Sequence, residues 1–405
     1  NRDVLDLFFT TTAFHRRTMA EDDTAIKVSV RIRPLNKREL DENQSEGFTY
    51  SSTAIKESTT SGEKVYHFDH CFDPKTQNEE AYAKVGKSLV MHALDGYNAT
   101  IFTYGQTGSG KTHSILGNAS DPGFIPRTID DVFAHVDANV TTTTFTIMVS
   151  YLEVYNEEIN DLLVDGEAGQ NLKILTEDPQ KGAIIENLTE RSVTDKQDVL
   201  NILAEGEKHR SYGSTKMNNT SSRSHTLFRM VIESLTELER DDDDDDDIAK
   251  SGDGFKSFGQ ETAMSGRSAK ISYLNLVDLA GSERQKSTGA TGSQLKEGSN
   301  INKSLLALGA VISKLGESAS KRSSKGKGTP FIPFRDSKLT RILKNSLGGN
   351  TLTSILCTIT AAKMHHDETV STLKFGQLCK TIKNKARKNE TIDEKTLMKQ
   401  YKTKI

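Results

Sequence analysis

With 405 residues, 34% of them hydrophobic and 27% charged, the chain has the material for a sizeable core beneath a strongly polar surface. A formal net charge of −3 argues against a general nucleic-acid binder, and no apolar run approaches the ~18–20 residues that span a bilayer. Its three cysteines, Cys71, Cys357 and Cys379, show no C-x-x-C spacing, which argues against a disulfide framework or zinc module and fits a reducing cytoplasm.

Residues 1–23 read as an N-terminal extension, expected to be disordered. A basic pair and the apolar Leu7-Phe8-Phe9 hint at a targeting peptide, but Asp3 and Asp6 count against one, and Met19 reads as the natural start. The alternating, β-branched stretch 26–32 predicts a strand, as do 99–104, 145–155 and 225–234. Residues 269–279 hold too many consecutive apolar side chains for a one-sided sheet, so a strand buried on both faces is expected there. Ile301, Leu305, Leu308, Ile312 and Leu315 form one stripe of an amphipathic helix. A second helix is predicted over 367–382, with acids in its first turn and lysine near its end, as the macrodipole favours. Strands alternating with helices predict a layered α/β domain. Residues 241–247 are an unbroken aspartate run in a loop of about 235–268, expected to be disordered through self-repulsion. Residues 318–328 form a second low-complexity insertion, basic and expected to be flexible.

The chemistry-bearing motif is Gly105-Gln106-Thr107-Gly108-Ser109-Gly110-Lys111-Thr112, which satisfies G-x-x-x-x-G-K-[ST] between a predicted strand and a predicted helix. Its glycines let backbone N–H groups curl around phosphate oxygens. Lys111 can reach the β- and γ-phosphates, and the Thr112 hydroxyl can ligate Mg²⁺. Downstream, Asp278 ends the buried strand in Asp278-Leu279-Ala280-Gly281, the place for an acid that holds the magnesium shell through water, with the Gly281 N–H near the γ-phosphate. The run 218–225, rich in hydroxyls with two amides and one fixed cation, offers a further Mg²⁺ ligand and a group to position water. The Asn-Lys pairs at 36 and at 302 do not continue as N-K-x-D, which favours ATP over GTP.

Together GQTGSGKT at 105, NNTSSRSH at 218, DLAGSE at 278, NINKSLLALG at 300 and FRDSKLTRIL at 334 resemble the kinesin motor family, in its order and at roughly its spacing, over about residues 24–389. The resemblance implies an α/β P-loop NTPase fold: a central, mostly parallel eight-stranded sheet with three helices on each face, forming one motor domain over 24–382. It implies ATP/ADP and Mg²⁺ as cofactors. Arg31, Arg33, Pro34 and His113 would surround the adenine, and Asn218 and Ser224 would line the nucleotide. Ser222 would join Thr112 on the metal, and Ser221 would sit near the lytic water. Arg223 would pair with Glu283 as a gate behind the γ-phosphate. Lys111, Ser221, Arg223, Gly281 and Glu283 are the implied catalytic set.

The same resemblance assigns a microtubule-binding face to Lys303, Lys314, Arg335, Lys338, Arg341 and Lys344, with Lys321, Arg322, Lys325 and Lys327 of the basic insertion and Lys181 at a predicted β-turn. The NINKSLLALG string would begin the relay helix that lies against tubulin. Tubulin's surface is acidic, so this face would steer association in a salt-sensitive way. Residues 383–396 take the place of a neck linker and 397–405 the start of a neck helix, an order that resembles plus-end-directed motors. This fragment is then expected to be monomeric, with dimerisation through a coiled coil beyond residue 405, no nucleic-acid partner and no membrane insertion. The expected location is the cytoplasm and its microtubules, including the spindle or kinetochore. Residues 206–234 and 393–405 look most like the centromere-protein-E type, the seventh kinesin family, from which the aspartate loop and the N-terminal extension depart. A non-motile microtubule-binding module is the alternative, disfavoured by the complete catalytic set. A filament-end depolymerase is disfavoured because 51–64 lacks the lysine-valine-aspartate finger.

Overall fold

The computed structural model describes residues 25–59, 62–215, 222–237, 267–283, 293–321 and 331–392. Strand β1 (Lys27–Arg33) and a short α1 (Lys37–Asp41) lead into a small antiparallel sheet of β2 (Phe48–Tyr50), β3 (Ala54–Thr59) and β4 (Gly62–His67). There follow β5 (His70–Phe72), α2 (Asn78–Val85), α3 (Lys87–Leu94), β6 (Ala99–Tyr104), α4 (Lys111–Ile115) and α5 (Phe124–Asn139). The middle of the chain holds β7 (Thr143–Tyr155), β8 (Glu158–Asp161), the hairpin β9 (Ile174–Asp178) and β10 (Gly182–Ile185), β11 (Arg191–Val193) and α6 (Lys196–Thr215). The last part holds β12 (His225–Glu237), β13 (Arg267–Asp278), α7 (Ser293–Lys321), α8 (Lys338–Ile342), β14 (Leu352–Thr360), α9 (His366–Cys379) and β15 (Glu390–Ile392).

Eight strands form one continuous path, β11-β7-β12-β13-β6-β14-β1-β5, with β8 added to β7 and β15 to β13. From β13 to β5 the pairings are parallel, and from β11 to β13 they are antiparallel. The parallel half needs cover on both sides, and two hydrophobic layers supply it. On one face Ile101, Leu274, Leu276 and Leu356 pack with Tyr82, Val90, Ile115, Ile129 and Val199 of α2 to α6. On the other, Val28, Phe102, Val277 and Ile355 pack with Leu308 and Ile312 of α7, Leu339 of α8 and Leu373 of α9. The first face therefore carries three helical runs, two of them interrupted: α2 meets α3 at Gly86, and residues 116–123 separate α4 from α5.

Several sequence-based boundaries move. Helix α7 starts at Ser293, ahead of the NINKSLLALG string, and continues to Lys321, so the basic stretch expected to be flexible from 318 begins as helix. Helix α9 ends at Cys379 and not at 382. The loop expected over 235–268 is shorter, because β12 and β13 stay paired out to Glu237↔Arg267, where the antiparallel ladder satisfies a polar backbone that composition alone assigns to a loop. The N-terminal extension, the aspartate run, Arg322, Lys325, Lys327 and the expected neck helix lie outside the described residues.

On the α7–α9 face the register aligns a row of polar side chains across four strands, Arg229↔Asn275↔Thr100↔Thr353. Arg229 Nε donates to Asn275 Oδ1 at 2.9 Å, and Asn275 Nδ2 donates to Thr100 Oγ1 at 3.2 Å. Thr100 shares a 2.9 Å hydrogen bond with Ser346, whose carbonyl accepts from Thr353. Asn384, beyond α9, closes the row by donating to Thr353 Oγ1 at 3.0 Å. All four strand residues are buried, so each donor depends on its neighbour. Asn275→Leu should leave Arg229 Nε unpaired and lower stability by about 1–3 kcal/mol, to be measured by denaturant unfolding.

Candidate functional site

The loop 105–110 leaves β6 at the centre of the parallel sheet and enters α4. Gly105 (φ 156°), Gly108 (φ 74°) and Gly110 (φ 103°) all have positive φ, a backbone that L side chains rarely adopt. At Gly105 a Cβ would stand 2.1 Å from the Thr358 carbonyl of β14, so the loop can sit this low only with glycine there. Lys111 is buried, and its Nζ donates to the carbonyls of Gly105 and Gln106, both at 2.9 Å. Burial pulls its pKa down, against the opposing pull of Asp278 and Glu283. The Gln106 Oε1 is buried without a hydrogen-bond partner.

Asp278, at the end of β13, is buried and accepts from Thr112 Oγ1 at 2.6 Å and from Thr103 Oγ1 at 3.0 Å. A hydroxyl and a carboxylate held this close are hard oxygen donors of the kind Mg²⁺ takes together with phosphate oxygens. Among the described residues no three His, Cys, Asp or Glu side chains converge on a metal site. The residues present therefore fit a magnesium ion carried on a nucleotide better than a resident protein-caged metal.

The N–H groups of Ala280, Gly281 and Ser282, just beyond β13, bind two other segments. Ala280 N–H donates to His225 Nδ1 at 2.9 Å, Gly281 N–H to the Ser222 carbonyl at 2.9 Å, and Ser282 N–H to the Gly105 carbonyl at 3.1 Å. Both carboxylate oxygens of Glu283 accept from Thr107, one from its N–H at 2.7 Å and one from its hydroxyl. A Cβ on Gly281 would lie 2.2 Å from Thr107 Oγ1 and 2.4 Å from Glu283 Oε2, so glycine is what admits the carboxylate to the loop. Ser222, Arg223 and Ser224 thus lie at the junction of the two segments, while Asn218 and Ser221 fall outside the described residues.

Arg33 donates from Nε to the Gly108 carbonyl at 2.6 Å and pairs with Glu39, and its NH1 also donates to the Pro34 carbonyl. His113 is half-exposed, 3.9 Å from Asp121. Arg31 is buried, its guanidinium held by Asn78, by Ser114 at 3.0 Å and by the Thr76 carbonyl at 2.9 Å. It ties β1 to α2 and α4. Asn78, Ser114 and Glu39 were not singled out by sequence reasoning, since none carries a motif.

The expected track face gathers on α7, α8, the turn before α8 and the β9–β10 hairpin. Lys181, Lys303, Lys314, Arg335 and Lys344 are exposed there, with Lys338 and Arg341 half-buried. Not all of this charge is free. Arg341 and Lys344 both pair with Glu177 of β9, at 3.0 and 2.6 Å, and Lys314 pairs with Glu317 at 3.2 Å. Burial alone would raise the Glu177 carboxyl, but Lys344 and Arg341 outweigh it and hold it below its usual range. Lys338 donates to Asn171 Oδ1 at 3.2 Å. Glu157, another residue without a sequence signal, fixes the start of α8 by accepting from Ser337 Oγ and the Lys338 N–H, at 2.6 and 2.9 Å.

A glycine-built phosphate loop on a central parallel strand, with a buried aspartate on the neighbouring strand end, defines a P-loop nucleoside-triphosphatase. Comparison with known proteins narrows the class. Residues 31–382 match the kinesin motor domain family. Kinesin-related protein 4 of Dictyostelium discoideum is 40% identical over 94% of this chain and 18% of its own length. Human centromere-associated protein E is 41% identical over 96% of this chain and 13% of its own length. A solved structure of a fast kinesin superposes with a TM-score of 0.76 at 34% identity, over 92% of this chain and 95% of that one. A KIF14 motor segment, solved as a dimer with AMP-PNP in complex with a microtubule, superposes with a TM-score of 0.76 at 34% identity, over 90% and 96%. The chain belongs to the kinesin motor-domain family. It spans less than a fifth of the length of the first two of these relatives.

One titration in the site is measurable apart from activity. His225 is buried, and burial first, then the charges of Lys111 and Arg210, push its pKa down to about 3 from an ordinary 6.5. A histidine kept neutral by folding contributes its full stability above the unfolded value near 6.5 and loses it as pH falls toward 3. The group alone should cost roughly 1.4 kcal/mol per pH unit inside that window. Unfolding curves should show this slope in the native chain and lack it in His225→Gln.

Proposed function

We propose that this chain is the head of a microtubule motor: a microtubule-stimulated ATPase that hydrolyses Mg-ATP and moves toward plus ends. The observation that carries the reading is the meeting of Gly105, Ser222 and the 280–282 backbone at one point, beside Asp278 at the end of β13 and Lys111 and Thr112 at the start of α4. In this reading Lys111 and the loop amides hold the phosphates, and Thr112 and Ser222 ligate Mg²⁺ with Asp278 behind them. When bound, the metal supplies charge stabilisation for the leaving and transferred phosphates. The Gly281 N–H exchanges the Ser222 carbonyl for the γ-phosphate, and Arg223 and Glu283 close the gate, with Glu283 leaving Thr107 to do so. Positioning and charge carry most of such a reaction.

The segment after α9 supports the neck-linker reading. Ile382 meets Ile26 through a backbone hydrogen bond, Lys385 N–H donates to the Gly349 carbonyl, and Asn389 N–H donates to the Gly96 carbonyl. Lys388 reaches Asp95 at 2.9 Å beside Lys270 at 3.1 Å, and β15 pairs with Ser268, Ala269 and Lys270. A linker laid along the core in this way fits a power stroke directed by its docking. The likeness to centromere-associated protein E favours a place among motors of the microtubule cytoskeleton.

ATP turnover by the chain should rise strongly with polymerised microtubules and fall back between low and moderate salt, as screening weakens the basic face. Microtubule binding without activation would instead support a non-motile module. Glu283→Ala should bind ATP with near-native affinity and lose at least about a hundredfold in turnover, in line with removal of a group that acts in the transition state. Near-normal turnover in that variant would remove Glu283 from the gate.

A further inference from the structure

His225 begins β12, directly after the loop that carries Ser222 and Arg223, and only 3% of its surface is exposed. Its two ring nitrogens face different elements. Nδ1 lies 2.9 Å from the Ala280 backbone nitrogen, and Nε2 lies 2.8 Å from the Ser304 hydroxyl of α7. Ser304 is equally buried at 3%. A backbone N–H can only donate, so Nδ1 must be the lone-pair nitrogen, and the neutral ring carries its proton on Nε2. That proton is then directed to the Ser304 oxygen. The tautomer is fixed by the bond at Ala280, and the bond to Ser304 follows from it.

We propose that His225 is a positioning residue that couples the end of the nucleotide-sensing strand β13 to helix α7 through the relay Ala280 N–H to imidazole to Ser304. The inference rests on the nucleotide and track roles proposed above and adds the side chain that joins them.

The geometry makes the ring a stiff connector. Ala280 immediately precedes Gly281, the residue expected to exchange partners when a γ-phosphate arrives. Ser304 immediately follows Lys303, an exposed lysine on the proposed track face. Sliding α7 relative to β13 therefore breaks a buried hydrogen bond, leaving a ring N–H with no solvent to replace its partner. A helix free to slide without this link would respond to the track while the 280–282 backbone stayed where it was.

The test uses Ser304→Ala, which removes the far end of the relay without touching the phosphate loop, together with His225→Asn and the double variant. Asparagine places an acceptor near the position of Nδ1 but cannot reach Ser304. Turnover with and without microtubules, the ATP KM and the melting temperature are measured for each. Ser304→Ala is expected to keep track-free turnover and ATP KM within about twofold while losing at least about fivefold of its microtubule activation. His225→Asn should lose activation to a similar degree, and the double variant should lose no more than the larger single loss. In ¹⁵N-histidine-labelled protein, the His225 Nε2 resonance should shift in Ser304→Ala and the Nδ1 resonance should not. A lowered melting temperature with full activation in Ser304→Ala would make the contact merely structural and overturn the proposal. Single losses that multiply in the double variant would also overturn it, because the residues would then act separately. Failure of the native chain to be activated by microtubules would sink the motor reading and this relay with it. Full activation in both the native chain and Ser304→Ala would sink the relay alone.

Discussion

The site is held together by the three amide N–H groups of Ala280, Gly281 and Ser282, which emerge from β13 with no strand partner to accept them. Their acceptors lie on two other segments: His225 at the start of β12 with the Ser222 carbonyl just upstream of it, and the Gly105 carbonyl of the phosphate loop. Three adjacent donors cannot all be satisfied unless those two segments converge on the 280–282 backbone. Convergence in turn places the Thr112 hydroxyl on Asp278 and the Glu283 carboxylate on Thr107. Of the three bonds, the middle one joins Gly281 to the residue beside Arg223, and in the proposed function it is the one exchanged for a phosphate oxygen. In that proposal the outer two hold the frame while the centre changes partner.

The sheet extends this frame away from the site. Its parallel half, buried on both sides, fixes where β6 and β13 end and therefore where the phosphate loop and the three donors sit. The polar row from Arg229 to Thr353 crosses the same strands and ends on Asn384. Packed apolar layers tolerate small lateral slips; a row of buried hydrogen bonds does not, because a one-residue shift would leave every member unpaired. The segment after α9 is consequently referenced to the same strand register as the nucleotide loop.

Much of this was legible in the sequence where chemistry is local. The phosphate loop, the buried strand ending at Asp278 and the apolar stripe of α7 can each be read from contiguous residues. Strand β14 escaped notice because its Thr and Ser residues imitate a surface strand, yet all nine residues are buried and Thr353, Thr358 and Thr360 have internal partners. Arg31 lies in a motif the sequence shows, but its partners Asn78 and Ser114, 47 and 83 residues away, are brought to it only by the fold. Counting lysines overstated the free charge of the basic face, because Glu177 lies on a separate hairpin whose packing against α8 is a tertiary fact. His225 stood within a quoted motif, but its role depends on Ala280 and Ser304, which only the fold brings to it.

Residue-resolved amide hydrogen exchange across 280–282, in the presence of ADP and of a non-hydrolysable ATP analogue with Mg²⁺, tests this account most directly. The account predicts that Ala280 and Ser282 stay protected in both states while the nucleotide-dependent change is confined to Gly281. Loss of protection at all three amides together, or a change at Ala280 with none at Gly281, would contradict it.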